Sequence, residues 1–361
     1  MHKSSSTQSS QTMASSPFLM LPLLDQTTQE IHHLSLYNLK DKKPHNLKFL
    51  ETLKNLKNPQ CIGSSHGFLA FLDETKANPF LLNPFTNAQI HLPPKETKIS
   101  KLILSQSPTS HPTTFAAVAM HAAGFGLTAN LSLCRGGDAA WRRLPGQGET
   151  YYDVVCCSVT NTLLALAPGP TVESWDLNEE ASPEKTVVIQ ESCPRSLQLA
   201  RKTFPADLYT SQWYLALSPA GEIFMAVRYI GEFVSNDGEV VYEGDTLTDD
   251  SPAPVICPYR TMGFRVFRVD AGRSEWVDVE SLDDSALFLG GNESVMVSAA
   301  AAGAKRNAIY FTDDYWERID EDYSYGGHDL GVFCMEDGSI ETVFDFEEDK
   351  IEPPPFWITL H

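Results

Sequence analysis

The sequence predicts an all-β chain made of repeated units, and three observations carry that reading. Short apolar runs alternate with Gly, Asn, Asp and Pro, the pattern of strands punctuated by turns. Apolar residues at a sustained helical spacing are almost absent. The runs recur as a unit of strand, polar turn, second strand and third strand, at intervals of about 40 to 60 residues, which fit four-stranded propeller blades with loop insertions.

Residues 66–94 show the unit most fully. Gly67-Phe68-Leu69-Ala70-Phe71-Leu72 reads as one strand, a polar turn covers 73–78, and Pro79-Phe80-Leu81-Leu82 and Gln89-Ile90-His91-Leu92 follow as the next two. Similar units start near Thr113, Tyr151, Gln212, Ser285 and Asn307. A chain of 361 residues exceeds the size at which one compact core stops growing, and no linker divides it. A repeat array resolves this, because each unit packs mainly on its neighbours. The expected architecture is a single β-propeller of six or seven blades with loop insertions over residues 17–361, preceded by a disordered or weakly targeting extension over 1–16. One stretch departs from the β pattern. Leu47, Leu50, Leu53 and Leu56 recur every third residue among Lys and Glu, so residues 46–56 are expected as a short surface helix. Lys40, Lys42, Lys43, Lys48, Lys54 and Lys57 around it read as a solvated face.

Composition excludes several function classes. Asp and Glu outnumber Lys and Arg by 47 to 27, for a formal charge of −20, so nucleic acid and anionic membrane surfaces are repelled. The charge is uneven: residues 1–110 are slightly basic, and the acidic excess lies beyond them. No stretch approaches the roughly 18 apolar residues of a membrane span, and the chain is expected to be soluble and monomeric. Seven cysteines without a C-x-x-C spacing suggest neither a zinc site nor a disulfide framework. Adjacent Cys156 and Cys157 point to opposite faces of a strand and read as structural thiols. Residues 1–24 are Ser-rich, with one Lys and no Arg or acid, and Met13 is an alternative start. Cytoplasmic or nuclear residence is expected, with a mitochondrial or plastid address as the alternative.

No motif demands catalysis. Gly63-Ser64-Ser65-His66-Gly67 matches the G-x-S-x-G nucleophile elbow, but that elbow needs a helix after it. Here a strand follows, so a structural turn is expected. The acids Asp313-Asp314, Asp320-Glu321-Asp322 and 345–349 read as solvated runs, without the spacing of a calcium loop. Glu336-Asp337-Gly338-Ser339 reads as a hairpin turn. His32-His33 and His328-Asp329 are read as structural rather than metal ligands. No enzyme activity, cofactor or metal is expected.

The order of several motifs resembles a known family. Cys61-Ile62-Gly63-Ser64-Ser65-His66-Gly67-Phe68-Leu69 is followed by Leu82-Asn83-Pro84-Phe85-Thr86 and Leu92-Pro93-Pro94. Then come Ser281-Leu282-Asp283-Asp284-Ser285-Ala286-Leu287-Phe288-Leu289-Gly290-Gly291-Asn292 and Asn307-Ala308-Ile309-Tyr310-Phe311-Thr312-Asp313-Asp314. Gly327-His328-Asp329-Leu330-Gly331-Val332-Phe333 and Pro353-Pro354-Pro355-Phe356-Trp357 complete the set. Together they resemble the plant KIB-type β-propeller family, a domain associated with F-box proteins. The resemblance implies a propeller that holds another protein, similar to the substrate-recognition modules of ubiquitin ligases. Family members carry an F-box of three helices ahead of the propeller, which docks on a Skp-type adaptor. Only about 16 residues precede Pro17-Phe18-Leu19-Met20-Leu21, too few for three helices at about 1.5 Å per residue. An F-box-less member is therefore expected, with adaptor docking in doubt; the alternative is an organelle-targeted member of unknown activity.

The candidate partner-binding residues lie in one insertion. Residues 231–250 interrupt the repeat and hold Glu232, Asp237, Glu239, Glu243, Asp245, Asp249 and Asp250 without a Lys or Arg. Pro252, Pro254 and Pro258 continue the segment as a loop. Long loops on a rigid scaffold concentrate binding residues, and one sign of charge steers a partner with a basic surface.

Overall fold

The computed structural model describes residues 16–24, 31–46, 60–73, 75, 77–95, 97–122, 128–145, 150–179, 183–190, 193–235, 237–242, 259–320, 326–346, 351 and 354–359. The strands among them fall into six sets. The first holds β1 (Phe18–Leu24), β2 (Ile31–Asn38) and β3 (Lys43–Asn46). The second runs β4 (Gln60–Ser65), β5 (Phe68–Leu72), β6 (Pro79–Leu82) and β7 (Gln89–His91). The third runs β8 (Ile99–Leu104), β9 (Ala116–Ala122), β10 (Thr128–Arg135) and β11 (Arg142–Arg143), with β12 (Thr150–Tyr151) paired to β10. The fourth is β13 (Asp153–Cys157), β14 (Thr162–Ala167), β15 (Thr171–Asp176) and β16 (Lys185–Ile189).

Helix α1 (Arg195–Thr203) leads into the fifth set, β17 (Tyr209–Leu217), β18 (Ile223–Gly231), β19 (Arg260–Asp270) and β20 (Glu275–Asp278). The sixth contains β21 (Ser285–Leu289), β22 (Val295–Ser298), α2 (Ala299–Ala302), β23 (Ala308–Phe311), α3 (Trp316–Asp320), β24 (Gly331–Cys334) and β25 (Ile340–Glu341). The last strand, β26 (Phe356–Ile358), returns to the first set. Sets two to five are antiparallel meanders in chain order.

Side chains alternate between the faces of a strand, and here both faces are covered, so the strands read as unbroken apolar runs. The fourth set shows how. Val154, Cys156, Leu163, Ala165 and Trp175 pack with Ile103, Val118 and Leu131 of the third set. Their neighbours Val155, Leu164, Leu166 and Val172 pack with Leu215, Met225 and Val227 of the fifth. Among the described residues six such clusters stand between successive sets, and the last joins the sixth set to the first.

Closure is made by the C-terminal strand. β26 pairs antiparallel with β1, Phe18 opposite Ile358, Leu19 opposite Trp357 and Met20 opposite Phe356. Phe18, Met20, Phe356 and Ile358 then face the second set, while Leu19, Leu21 and Trp357 face the sixth. Trp357 is fully buried and meets the rings of Phe288 and Tyr310 edge-on, at 5.0 and 5.7 Å. The inner strands run side by side: β17 meets β22 in parallel at Leu217 and Val295, and a Cβ on Gly63 of β4 would lie 2.1 Å from the Leu102 carbonyl oxygen of β8. That closeness is why glycine is needed there.

This arrangement separates two rims. Short turns join β4 to β5, β13 to β14 and β17 to β18 on one rim; the connections β18 to β19, β23 to β24 and β16 to β17 emerge on the other. Two sequence expectations need correction. The units near Ser285 and Asn307 are one set, because β21 and β23 pair in parallel, Ala286 with Ala308 through Leu289 with Phe311, and β22 and α2 form the crossover that parallel pairing requires. Helix α1 was not expected; Leu197 and Ala200, one turn apart, bury its inner side. The helix expected over 46–56 falls outside the described residues, apart from Asn46 at the end of β3. The turn expected at 336–339 is present between β24 and β25, with Gly338 at φ 73°.

Trp357→Ala removes the side chain that seals the sixth set to the first and is expected to destabilise the protein by about 3–5 kcal/mol. Urea denaturation should show a lower midpoint with an unchanged slope; an unchanged midpoint would mean that closure does not depend on this ring.

Candidate functional site

The rim that carries the acidic insertion is the candidate partner-binding face. The insertion leaves β18 at Gly231 and re-enters β19 at Arg260, which pair with each other. Its first residue does not point free to solvent. Glu232 accepts hydrogen bonds from the Tyr315 hydroxyl at 2.8 Å and from Arg318, Nη2 at 2.7 Å and Nε at 3.1 Å. The Arg318 guanidinium also lies over the Phe233 ring, 5.2 Å from its centroid. Residues 234–235 and 237–240 form a small hairpin, with Val234 bridged to Val240 and the Ser235 hydroxyl donating to Asp237 and to the Glu239 carbonyl. Asp237 and Glu239 sit exposed on this hairpin, and the Ser235 contact lowers the Asp237 pKa from its ordinary value. Glu243, Asp245, Asp249 and Asp250 lie outside the described residues. Of the seven acids, the structure thus ties one to α3 and leaves two facing solvent on the hairpin.

Beneath this rim lies a buried charge cluster that no single motif predicted. Arg228 on β18 is completely buried. It donates to Thr261 Oγ1 at 2.7 Å, the Thr312 carbonyl at 2.9 Å, Asp314 Oδ1 at 3.1 Å and Asp329 Oδ2 at 2.8 Å, and it lies over the Phe311 ring. Tyr214 donates to Asp314 at 2.9 Å, and the backbone N–H of Thr261 donates to Asp329 at 2.9 Å. Asp313 accepts from the Tyr259 hydroxyl at 2.6 Å and from the Gly327 N–H at 2.8 Å. Burial, and next the nearby Asp329, push the Asp313 pKa up to about 7; burial also raises that of Asp314, against the pull of Arg228.

Asp313 and Asp314 are therefore not the solvated run expected, because the fifth set offers them a cation and two phenols at the junction. Asp345 is exposed as expected, and Glu321, Asp322 and 347–349 fall outside the described residues. The sequence does contain a signal for Arg228: a charge in the middle of the apolar strand 223–231 has to find buried partners.

A second polar group occupies the inner strands. Ser65 donates to Glu293 Oε2, and Glu293 Oε1 accepts the Cys156 N–H at 2.9 Å, so one carboxylate links the second, fourth and sixth sets. Burial raises the Glu293 pKa from its ordinary value. Asp153 accepts from Lys101 at 2.6 Å, from the Leu215 N–H at 2.9 Å and from Ser294 at 3.0 Å. The G-x-S-x-G match is a two-residue hairpin turn, His66 at φ 50° and Gly67 at φ 74°, between β4 and β5. Ser65 is buried there, so it has neither the helix nor the exposure of a nucleophile elbow. Among the described residues no group of three or more His, Cys, Asp or Glu stands in a metal-binding arrangement. None of their helices is long and apolar enough to cross a membrane.

Arg228→Met is expected to cost about 3–5 kcal/mol at neutral pH, because it leaves buried carboxylates without their cation. Without Arg228, Asp314 loses the cation that opposes the effect of its burial and its pKa rises further, so the native state binds a proton that the unfolded chain does not, and stability falls as pH rises. The deficit relative to wild type, read by urea denaturation, should shrink from pH 8 to pH 5. An equal deficit at both would mean that Arg228 acts through packing alone.

The match to a known family agrees with this architecture. Residues 36–334 match the KIB1-4 beta-propeller family. The F-box protein SKIP23 of Arabidopsis thaliana is 29% identical over 182 residues, 49% of this chain and 42% of that protein. The Arabidopsis F-box protein At2g26160 is 30% identical over 122 residues, 31% of this chain and 37% of that protein. The chain thus spans less than half the length of these curated relatives. Among solved structures, the Cps50 (Swd1) beta-propeller domain of Myceliophteria thermophila aligns at a TM-score of 0.38 and 12% identity, over 93% of this chain and 88% of that one. With the match over 36–334 and the strand sets in place, the chain belongs to the KIB1-4 beta-propeller family.

Proposed function

We propose that this chain is a non-catalytic propeller that binds a protein with a basic surface through the rim bearing the 232–258 insertion, acting as a monomer in the cytoplasm or nucleus. Family membership supports protein binding, since the curated relatives it matches are named F-box proteins. The observation that carries the choice of rim is the hairpin bridged at Val234 and Val240, which presents Asp237 and Glu239 to solvent from a base fastened by Glu232 and Arg318. An anchored base keeps a charged tip in place without ordering it at the moment of binding, which lowers the entropic cost of association. The described residues contribute strands and three short, separate helices, so recognition rather than Skp-type adaptor docking is the role we assign to them.

The test begins with affinity purification of the tagged full chain and identification of the captured protein. Association is then measured with a variant in which Asp237, Glu239, Glu243, Asp245, Asp249 and Asp250 become Asn or Gln, and Glu232 is kept because it secures the base. The on-rate is expected to fall at low salt, with the difference closing at high salt as the charges are screened. An on-rate equal to wild type at both salt concentrations would place the binding face elsewhere.

A further inference from the structure

One short segment holds both ends of the insertion to the propeller. Residues 313–320 follow β23 and include α3. Glu232, the first residue after β18, is gripped by Tyr315 and Arg318; Tyr259, the last before β19, donates to Asp313. The Tyr259 and Tyr315 rings meet edge-on at 5.4 Å, and the Tyr315 N–H donates to the second oxygen of Asp313 at 3.2 Å. Asp313 is thus the point at which the segment, Tyr259 and the Gly327 backbone converge.

Its surroundings are unusual for a carboxylate. The side chain is buried, and the nearby cation is committed elsewhere: Arg228 of β18 donates to Thr261, Thr312, Asp314 and Asp329. Among the described residues, the charged and titratable groups around Asp313 are Asp329 before β24, its own neighbour Asp314, Arg228 of β18, Tyr259 leading into β19, and Tyr315 leading into α3. Asp329 opposes the Asp313 charge and Arg228 favours it from a distance; Tyr259 and the two N–H groups supply dipoles only. An ionised carboxylate is costly in such a site, and a protonated one keeps most of the contacts, since the Tyr259 hydroxyl can turn from donor to acceptor.

We infer that the ionisation of Asp313 sets how firmly residues 313–320 are held against the fifth set, so that this junction tightens in acid and loosens as pH rises. The sign follows from linkage. When the segment lifts and Asp313 meets water, its pKa returns to the ordinary carboxylate range, well below the value near 7 of the closed arrangement. Protons therefore bind preferentially to the closed arrangement. Its advantage is fully present below the ordinary carboxylate pKa, declines through the window between the two values, and is lost above about 7. Because the insertion begins and ends on this junction, its base would respond to pH in the range where cellular compartments differ.

Hydrogen exchange of the full chain from pH 5.5 to 8, corrected for the intrinsic chemical rate at each pH, tests this. In peptides covering 259–261 and 315–320, the opening equilibrium should grow toward about tenfold per pH unit below pH 7 and level off above it. A reference peptide in β14 should stay flat. Asp313→Asn, which keeps the shape and remains neutral, should abolish the slope while retaining the protection seen at pH 5.5. A slope shared with β14, or one that persists in Asp313→Asn, overturns the inference. Should Asp313→Asn fail to fold, Tyr259→Phe decides: it removes a donor that favours the ionised form, so the window must move to higher pH, and an unmoved window overturns the inference equally.

Discussion

The pairing of β26 with β1 is the constraint on which the rest of the molecule depends. Each strand set is apolar on both faces and cannot stand alone in water, so every set needs a neighbour on each side. A linear array would leave two apolar faces and two unpaired inner edges at its ends, a standing invitation to aggregation. Placing Phe356, Trp357 and Ile358 inside β1 covers both ends at once, because Trp357 packs on the sixth set and its neighbours on the second. The closing strand is only three residues long. Its hold comes less from ladder hydrogen bonds than from side chains, each inserted into one of two clusters that are already nearly complete.

Closure creates an interior where the inner strands face one another, and there the chain places charge rather than more carbon. Glu293 reaches the second and fourth sets, and Asp153 links the third, fifth and sixth through Lys101, Leu215 and Ser294. Buried ions cost free energy to desolvate, and their partners only offset that cost when each lone pair is met. Here most partners are backbone N–H groups or hydroxyls on different sets, so the contacts can all be made only when the ring is assembled in register. Apolar packing specifies that the sets stack; these contacts specify how far each slides along its neighbour. Arg228 does the same for the fifth and sixth sets with two carboxylates and two backbone carbonyls.

The same geometry explains why the two rims differ in what they can do. Inner strands running in parallel send the first turn of each antiparallel meander to one rim, where the two-residue turn at His66 and Gly67 closes tightly. The second connection and the passage to the next set fall on the other rim, where chain length is tolerated because loop closure grows only slowly with length. Insertions with composition unlike the sheet, such as 232–258, accumulate there. The anchoring of that insertion by Glu232 and Tyr259 ties it to the buried charge at the junction of the fifth and sixth sets, so a surface loop and an interior carboxylate share one support.

What the sequence determined by itself was local. Apolar runs between turn residues marked the strands of the second set nearly to the residue, since 68–72, 79–82 and 89–91 follow directly from the spacing of Gly, Asn and Pro. The turn at 336–339 and the structural nature of Gly63-Ser64-Ser65-His66-Gly67 were legible for the same reason: short-range geometry is encoded by neighbours. The acidic character of the insertion was plain in composition. The fusion of the units at Ser285 and Asn307 into one set was not legible, because parallel pairing carries no turn signature. Nor was the closure between residues more than three hundred positions apart, nor the number of sets. Tertiary structure alone decided that Glu232 serves the fold while Asp237 and Glu239 face solvent, and that Asp313 is buried and Asp314 paired with Arg228. Identical side chains in a run of acids differ only in what the folded chain brings beside them, and burial and partners are properties of the assembled ring, not of the segment.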